Sequence, residues 1–333
     1  MRRRSALTLL SALLLVTTTA AVGCDKGARP SVTITIAVIP KGTTHEFWKS
    51  IHAGAAKASA ELGIEIIWKG PLKEDDLKAQ IDEVQSFTAQ GVSGIVLAPL
   101  NDKALTGAVK GAVAAKIPVV VFDSDLQGKD HVSFVATDNT IAGGLAGEHL
   151  AKLLGGKGKV ILLRYQEGSA STENRERGFL EAIKKHPEIQ LVSDNQYGGA
   201  TTESAFKVSE NLLSAHRAKD GEVNGIFCPN ESSTFGMLRA LQSAGLAGKI
   251  KFVGFDSSEK LVAGLKAGQI DGLVLQNPLN MGYLAVKTMV SHLRGEKIDK
   301  RIDTGAQLVT QDNMNDPEIK ELLEPDLKKW LRE

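Results

Sequence analysis

Apolar runs that end on polar side chains recur along this chain, and helical periodicity fills the intervals between them. The clearest run is 117–125, where Pro118 is followed by Val119, Val120, Val121 and Phe122 and then by Asp123, Ser124 and Asp125. Consecutive β-formers without polar alternation predict a strand buried on both faces, as in a parallel sheet. The same pattern recurs at 95–101, 226–231, 252–256 and 273–277. In an open α/β sheet, ligands bind outside the carboxyl ends of the strands, so these polar tips predict one shared cleft.

Read in order, strands are predicted at 32–40, 64–68, 94–99 and 118–122, and a short apolar segment follows at 132–136. Phe47, Ile51, Ala55, Ala58 and Leu62 form a helical stripe that Gly63 ends. Further helices are predicted at 75–90 and 102–116. The alternation then restarts. Strands at 159–165, 189–196, 225–228, 251–255 and 272–276 are interleaved with helices at 141–154, 172–185, 202–216, 232–244, 258–267 and 278–293. Strict β/α alternation in two successive series predicts an α/β protein with two Rossmann-like lobes, each a parallel sheet covered by helices. The tail, 316–333, carries Leu322, Leu323, Leu327 and Trp330 at roughly helical spacing and is expected to pack on a lobe surface.

Length supports two domains, because 333 residues exceed what one core normally fills. A net charge of +1 supplies no electrostatic footprint for nucleic acid, which is not expected as a partner. Cys24 and Cys228 do not form a disulfide framework. Arg2, Arg3 and Arg4 precede the apolar stretch 6–16, and small residues lead to Ala21-Val22-Gly23-Cys24. This is an export signal whose end resembles a lipobox, so Cys24 is expected to be lipidated, with 1–23 removed and 24–31 a tether. No later run approaches the ~20 apolar residues of a membrane span.

Enzymatic signatures are missing. The glycines of 155–158 follow a predicted helix and precede a strand, without the Lys-Ser/Thr ending of a phosphate loop. Gly143, Gly144 and Gly147 lie within a predicted helix, where close packing explains them. No HExxH or clustered Cys/His pattern supplies a metal site, and no Gly-x-Ser-x-Gly elbow is present. Cys228 ends an apolar run and reads as a small buried hydrophobe. No cofactor and no metal are expected. Asp123, Asn230, Asp256 and Gln276 stand at strand ends, where each could also be a turn or capping residue. Carboxylates and carboxamides bond hydroxyls directionally. Arg175 adds a forked donor, and Trp48 can cover the apolar face of a sugar ring. Phe47 belongs by spacing to the core stripe. Replacing Asp123 by Ala is expected to remove ligand binding and spare the ligand-free protein. An exported glycoside-acting enzyme using Asp123 and Asp256 is the competing reading.

These residues resemble the periplasmic sugar-binding proteins of the ribose-binding type, solute receptors of ABC importers, over nearly all of 32–310. The similarity is carried by Glu46-Phe47-Trp48, 117–123, Ala136-Thr137-Asp138-Asn139, Thr172-x-x-Arg175-x-x-Gly178-Phe179, Pro229-Asn230-Glu231, Val253-Gly254-Phe255-Asp256 and Gln276-Asn277-Pro278. The resemblance implies the type I periplasmic binding protein fold. One lobe would be 32–136 plus 277–304, the other 137–276 plus 305–315, joined by a three-segment hinge. It implies that Phe47 and Trp48 stack on a sugar whose hydroxyls bond Asp123, Arg175, Asn230, Asp256 and Gln276. It also implies permease subunits as partners and a location in the periplasm or on the outer face of a bacterial membrane; a monomer is expected. Ser124 stands where ribose binders carry arginine, and Gly198, Gly199 and Ala200 stand where an aromatic is usual. Pro40-Lys41, Trp68-Lys69-Gly70-Pro71 and Asp123-Ser124-Asp125 look like the furanosyl autoinducer receptors, which brings Lys41 into the candidate site. Pentose, hexose, polyol and autoinducer all stay open as ligands.

Overall fold

The computed structural model describes residues 33–331. The expected export signal and tether, with Cys24, lie outside the described residues. Five strands come first: β1 (Thr35–Ile39), β2 (Glu65–Trp68), β3 (Gly94–Leu97), β4 (Val119–Phe122) and β5 (Ser133–Ala136). They pair in parallel in the order β2-β1-β3-β4-β5. Three helices connect them: α1 (Glu46–Leu62), α2 (Leu77–Gln90) and α3 (Thr106–Ala114). The chain then passes to a second sheet through α4 (Asn139–Leu153). Here β6 (Lys157–Arg164), α5 (Ala170–Ile183), β7 (Glu188–Tyr197), α6 (Thr202–Ala215), β8 (Gly225–Phe227), α7 (Glu231–Ala244), β9 (Lys251–Phe255), α8 (Glu259–Lys266) and β10 (Gly272–Leu275) repeat the same winding, β7-β6-β8-β9-β10.

The chain returns through α9 (Pro278–Leu293), which packs on α1. It adds β11 (Arg301–Asp303) parallel to β5, crosses again, and adds β12 (Gln307–Val309) antiparallel to β10. The two lobes are therefore linked at three crossings. Two of these are tied together where Thr137 Oγ1 donates to the Gly305 carbonyl at 3.0 Å and Asp303 Oδ1 accepts from Asp138 N at 3.1 Å.

The inner strands β1, β3, β4, β8, β9 and β10 are buried on both faces, as their apolar runs predict, whereas the edge strands β2 and β7 are partly exposed. Along β1, Ile36 and Val38 join a cluster with Ile51, Ala55, Met281 and Ala285, while Ala37 and Ile39 join Val84, Phe87 and Val109 on the opposite face. Along β6, Ile161 and Leu163 face α7 and α8, while Val160 and Leu162 face α4 and α5. The covering helices approach closely because small residues face one another. A Cβ on Gly54 of α1 would stand 1.8 Å from the Leu279 carbonyl oxygen of α9, and one on Gly282 of α9 would stand 2.2 Å from that of Ile51. Gly143 of α4 and Gly178 of α5 are related in the same way to Arg175 and Thr140. Gly143 and Gly147 of α4 therefore serve packing, whereas Gly144 has room for a side chain.

Several boundaries differ from the sequence reading for local reasons. The helix expected from residue 75 begins at Leu77, because the Asp76 side chain caps it by accepting from Ala79 N. The helix expected from residue 102 begins at Thr106, because Asn101 Oδ1 accepts from Lys103 N and Ala104 N and holds a turn instead. Among its described residues the tail is helical only over α10 (Pro317–Leu323), and Pro325 follows two residues later. Ile319 and Leu323 of α10 enter the second lobe's core.

Candidate functional site

Each sheet ends on an aspartate with an unusual backbone. Asp123 after β4 and Asp256 after β9 adopt φ of 60° and 67°. Each N–H still completes the sheet ladder, donating to Val135 O at 3.0 Å and Val274 O at 2.9 Å. The left-handed turn then throws the carboxylate into the cleft. Asp tolerates this region better than most residues. The two lobes thus present their acids through the same local device.

The cleft closes on a cavity of ≈30 Å³ lined by both lobes. Of the sequence-predicted residues, Lys41, Phe47, Trp48, Asp123, Arg175, Asn230, Asp256 and Gln276 all line it. Ser124 does not. Its Oγ accepts from Ser171 N at 3.1 Å, making a contact between lobes rather than a piece of the wall. Phe47, placed by spacing in the core stripe, belongs both to the core and to the wall. It packs edge-on against Trp48, with ring centroids 5.0 Å apart.

Arg175 is almost wholly buried and firmly aimed. Its Nε donates to Asn139 Oδ1 at 2.7 Å and its Nη1 to Pro229 O at 2.9 Å, and its guanidinium lies 3.9 Å from the Phe255 ring centroid. Nη2 is buried and has no partner in the protein. Across the site, Gln276 Nε2 donates to Asp256 Oδ1 at 2.7 Å, which fixes the amide so that Gln276 Oε1 is also buried without a partner. Asp256 Oδ2 accepts from Glu231 N at 3.1 Å. Asn230 doubles as a cap: its Oδ1 accepts from Ser233 N at 3.2 Å, and its Nδ2 donates to Ser232 Oγ. Lys41 Nζ donates to Ser169 Oγ and Ser171 Oγ, each at 3.0 Å, and lies 3.5 Å from Asp123 Oδ2. Burial dominates that pair, lowering the Lys41 pKa and raising that of Asp123 against their mutual attraction.

Sequence reasoning did not find His45, Glu74, Tyr165, Ser171, Thr172 and Glu231, all of which line the cavity. Tyr165 follows the end of β6, so the strand-end signal used elsewhere also marks it. It supplies a ring in the second lobe, where the loop of Gly198, Gly199 and Ala200 has none. Glu74 sits in a polar loop with no distinguishing pattern. Burial weakens the charged forms of both Glu74 and His45. Their contact at 2.6 Å outweighs it, carrying Glu74 down to about 2 and His45 up to about 9. Glu231 accepts from the N–H groups of Glu46 and Phe47 at the start of α1, while Glu46 accepts from Glu259 N at the start of α8. Two carboxylates from opposite lobes thereby each cap a helix of the other lobe, Glu231 on α1 and Glu46 on α8, a favourable placement against the helix dipole.

Cys228 is buried in an apolar core, which pushes its thiol pKa up, far from a nucleophile. Among the described residues, no His/Cys/Asp/Glu cluster could hold a metal ion, and no helix is long and apolar enough to cross a membrane.

Residues 36–297 match the model of the periplasmic binding protein domain. The chain is 31% identical over 313 residues to the ribose import binding protein of Salmonella typhimurium, covering 93% of this chain and 99% of that one. A carbohydrate transporter solute binding protein of Agrobacterium radiobacter, solved in complex with D-arabinose, superposes with a TM-score of 0.84 at 34% identity, covering 88% of this chain and all of that one. An ABC transporter solute binding protein of Agrobacterium vitis with bound D-fucose gives 0.83 at 35% identity, covering 87% of this chain and all of that one. The matched domain, the doubly wound lobes and the cleft between them agree, and the chain belongs to the periplasmic binding protein family, among the sugar-binding proteins of the ribose-binding type.

Proposed function

We propose that this protein captures a neutral polyhydroxylated molecule, a monosaccharide or polyol, by hinge closure and delivers it to the membrane subunits of an ABC importer. The observation that carries this reading is the pair of buried atoms without partners, Arg175 Nη2 and Gln276 Oε1. One is a donor and the other an acceptor, and buried polar groups ordinarily find partners. A molecule bearing several hydroxyls satisfies both kinds. The wall carries three basic side chains (Lys41, His45, Arg175) and four acidic ones (Glu74, Asp123, Glu231, Asp256). That balance holds no surplus cation to select a carboxylate or phosphate. Trp48 and Phe47 on one side and Tyr165 on the other supply apolar faces for a ring.

A cavity of ≈30 Å³ is on the scale of one water molecule, so a sugar enters only when the lobes part. We take the lobes as 32–136 plus 277–304 and 137–276 plus 305–315, with 316–333 as a tail. Hinge bending at the three crossings then exposes the wall. The ligand is held without covalent chemistry. The protein acts as a monomer in the periplasm, anchored through a lipid on Cys24.

A thermal-shift panel of D-ribose, D-arabinose, D-fucose, D-allose and xylitol on protein lacking 1–23 tests this reading. A ligand that binds only the folded protein raises its melting temperature. A flat response to all five ends the sugar reading.

A further inference from the structure

We propose that Glu74 is a positioning residue for the cavity, one carboxylate that aims the aromatic wall of the first lobe and receives Tyr165 of the second, so that closure completes its hydrogen-bond set. The inference rests on the sugar-capture reading above.

Three donors converge on Glu74. His45 Nδ1 and Trp48 Nε1 each lie 2.6 Å from Oε1, and the Tyr165 hydroxyl donates to Oε2. An ionised carboxylate accepts only, with about four lone-pair sites, so these three leave about one for a ligand hydroxyl. The chain is shaped around this side chain. Glu74 lies in the loop between β2 and α2, is 5% exposed, and passes so near Gly42 that a Cβ there would stand 2.8 Å from Glu74 Cγ.

The three bonds differ in what hinge motion does to them. His45 and Trp48 precede and begin α1, in the same lobe as Glu74, so their bonds persist when the lobes part. Tyr165 follows β6 in the other lobe, so its bond exists only in the closed state. The constant pair holds the Trp48 indole edge and thereby the ring's tilt, with the Phe122 ring edge-on at 6.2 Å from centroid to centroid. The conditional bond adds its free energy to closure. Glu74 therefore links the wall that meets the ligand to the movement that traps it.

Two measurements test this. With whichever of the five panel ligands binds, isothermal titration of Tyr165→Phe, Glu74→Gln and the double variant measures the coupling. Loss of a hydrogen bond to a charged group weakens binding roughly tenfold or more. Tyr165→Phe is expected to show this loss with the ligand-free melting temperature unchanged, and the double variant to bind no worse than Glu74→Gln alone. Multiplicative losses in affinity, or the same coupling in ligand-free stability, overturn the closure role. The second measurement uses no sugar, so it stands even if the panel fails. In ¹H–¹⁵N spectra of the ligand-free protein, Glu74→Gln is expected to move the indole resonance of Trp48, assigned by Trp48→Phe, and to leave those of Trp68 and Trp330 in place. An unmoved Trp48 resonance overturns the positioning role.

Discussion

Lys41 Nζ and Asp123 Oδ2 face each other at 3.5 Å, each nearly excluded from solvent. From sequence alone, Asp123 is a free polar tip whose removal leaves the ligand-free protein untouched. The pairing changes that expectation. Breaking a buried pair leaves an uncompensated charge and typically costs about 3–5 kcal/mol, and solvent reaching Lys41 when the lobes part places this site at the low end. Asp123→Asn keeps a residue that tolerates φ of 60°, whereas Asp123→Ala adds about 1 kcal/mol of left-handed strain. Urea denaturation is expected to rank stability as wild type, then Asn, then Ala, with ligand-induced stabilisation lost in both variants. An alanine variant as stable as wild type would refute the pairing argument.

Arg175 uses two nitrogens on the protein and keeps the third for the cavity. Lysine has no fork and cannot reproduce the three directions together with the contact on Phe255. Arg175→Lys is expected to weaken ligand binding at least tenfold by calorimetry, about the value of one charged hydrogen bond. An unchanged affinity would remove Arg175 from the binding set.

Neighbouring glycines of α4 separate packing from propensity. A Cβ on Gly143 would stand 1.9 Å from the Arg175 carbonyl oxygen, whereas one on Gly144 meets nothing nearer than 3.9 Å. Gly143→Ala forces α5 away and moves Arg175 with it. A loss of about 2 kcal/mol or more in stability, with weakened binding, is expected. Gly144→Ala is expected to be neutral or to stabilise by up to about 1 kcal/mol through helix propensity. Equal effects at the two positions would contradict the close α4–α5 approach.

Stability should depend on pH through the Glu74–His45 pair and two buried carboxylates. Glu74, depressed to about 2, contributes stability above the ordinary carboxylate pKa of about 4.3, and this is lost as pH falls toward 2. His45, raised to about 9, contributes stability in full below about 6.5, and this is lost as pH rises through 9. Burial raises Glu176 and Glu231 to about 7, so the fold binds their protons more tightly than the unfolded chain does, and stability falls between about 4.3 and 7. Calorimetric melting temperatures should therefore peak in mild acid, at about pH 4–5. His45→Gln is expected to flatten the limb above about pH 6.5 and to keep the one below 7. An alkaline limb that survives His45→Gln would assign it elsewhere.

The unbroken apolar runs at β1, β3, β4, β9 and β10 were legible in the chain, because a strand covered on both faces admits no polar side chain. The polar tips were legible as well, since Asp123, Asp256 and Gln276 stop those runs abruptly. Helix starts were less so. Asp76 and Asn101 each bond nearby backbone N–H groups, one as a cap and the other in a turn, and composition does not separate the two. Tyr165 follows a strand as the acids do, but its polarity is confined to one hydroxyl on an apolar ring, so it stands out less than a carboxylate or carboxamide.

What the sequence alone determined is the local grammar: two β/α series, their hydrophobic cores, and polar residues at the strand ends that face a cleft. That follows from burial periodicity and short-range steric preference, which act within a few residues. Only the tertiary structure decided the partnerships. Ser124 turned from a cavity residue into a contact between lobes, and Asn230 proved to be a cap as well as part of the wall. Glu74 gathered His45, Trp48 and, from 91 residues away, Tyr165. The contacts of Ser124 and Tyr165 depend on how two lobes meet, and no pattern along a single stretch of chain encodes that meeting.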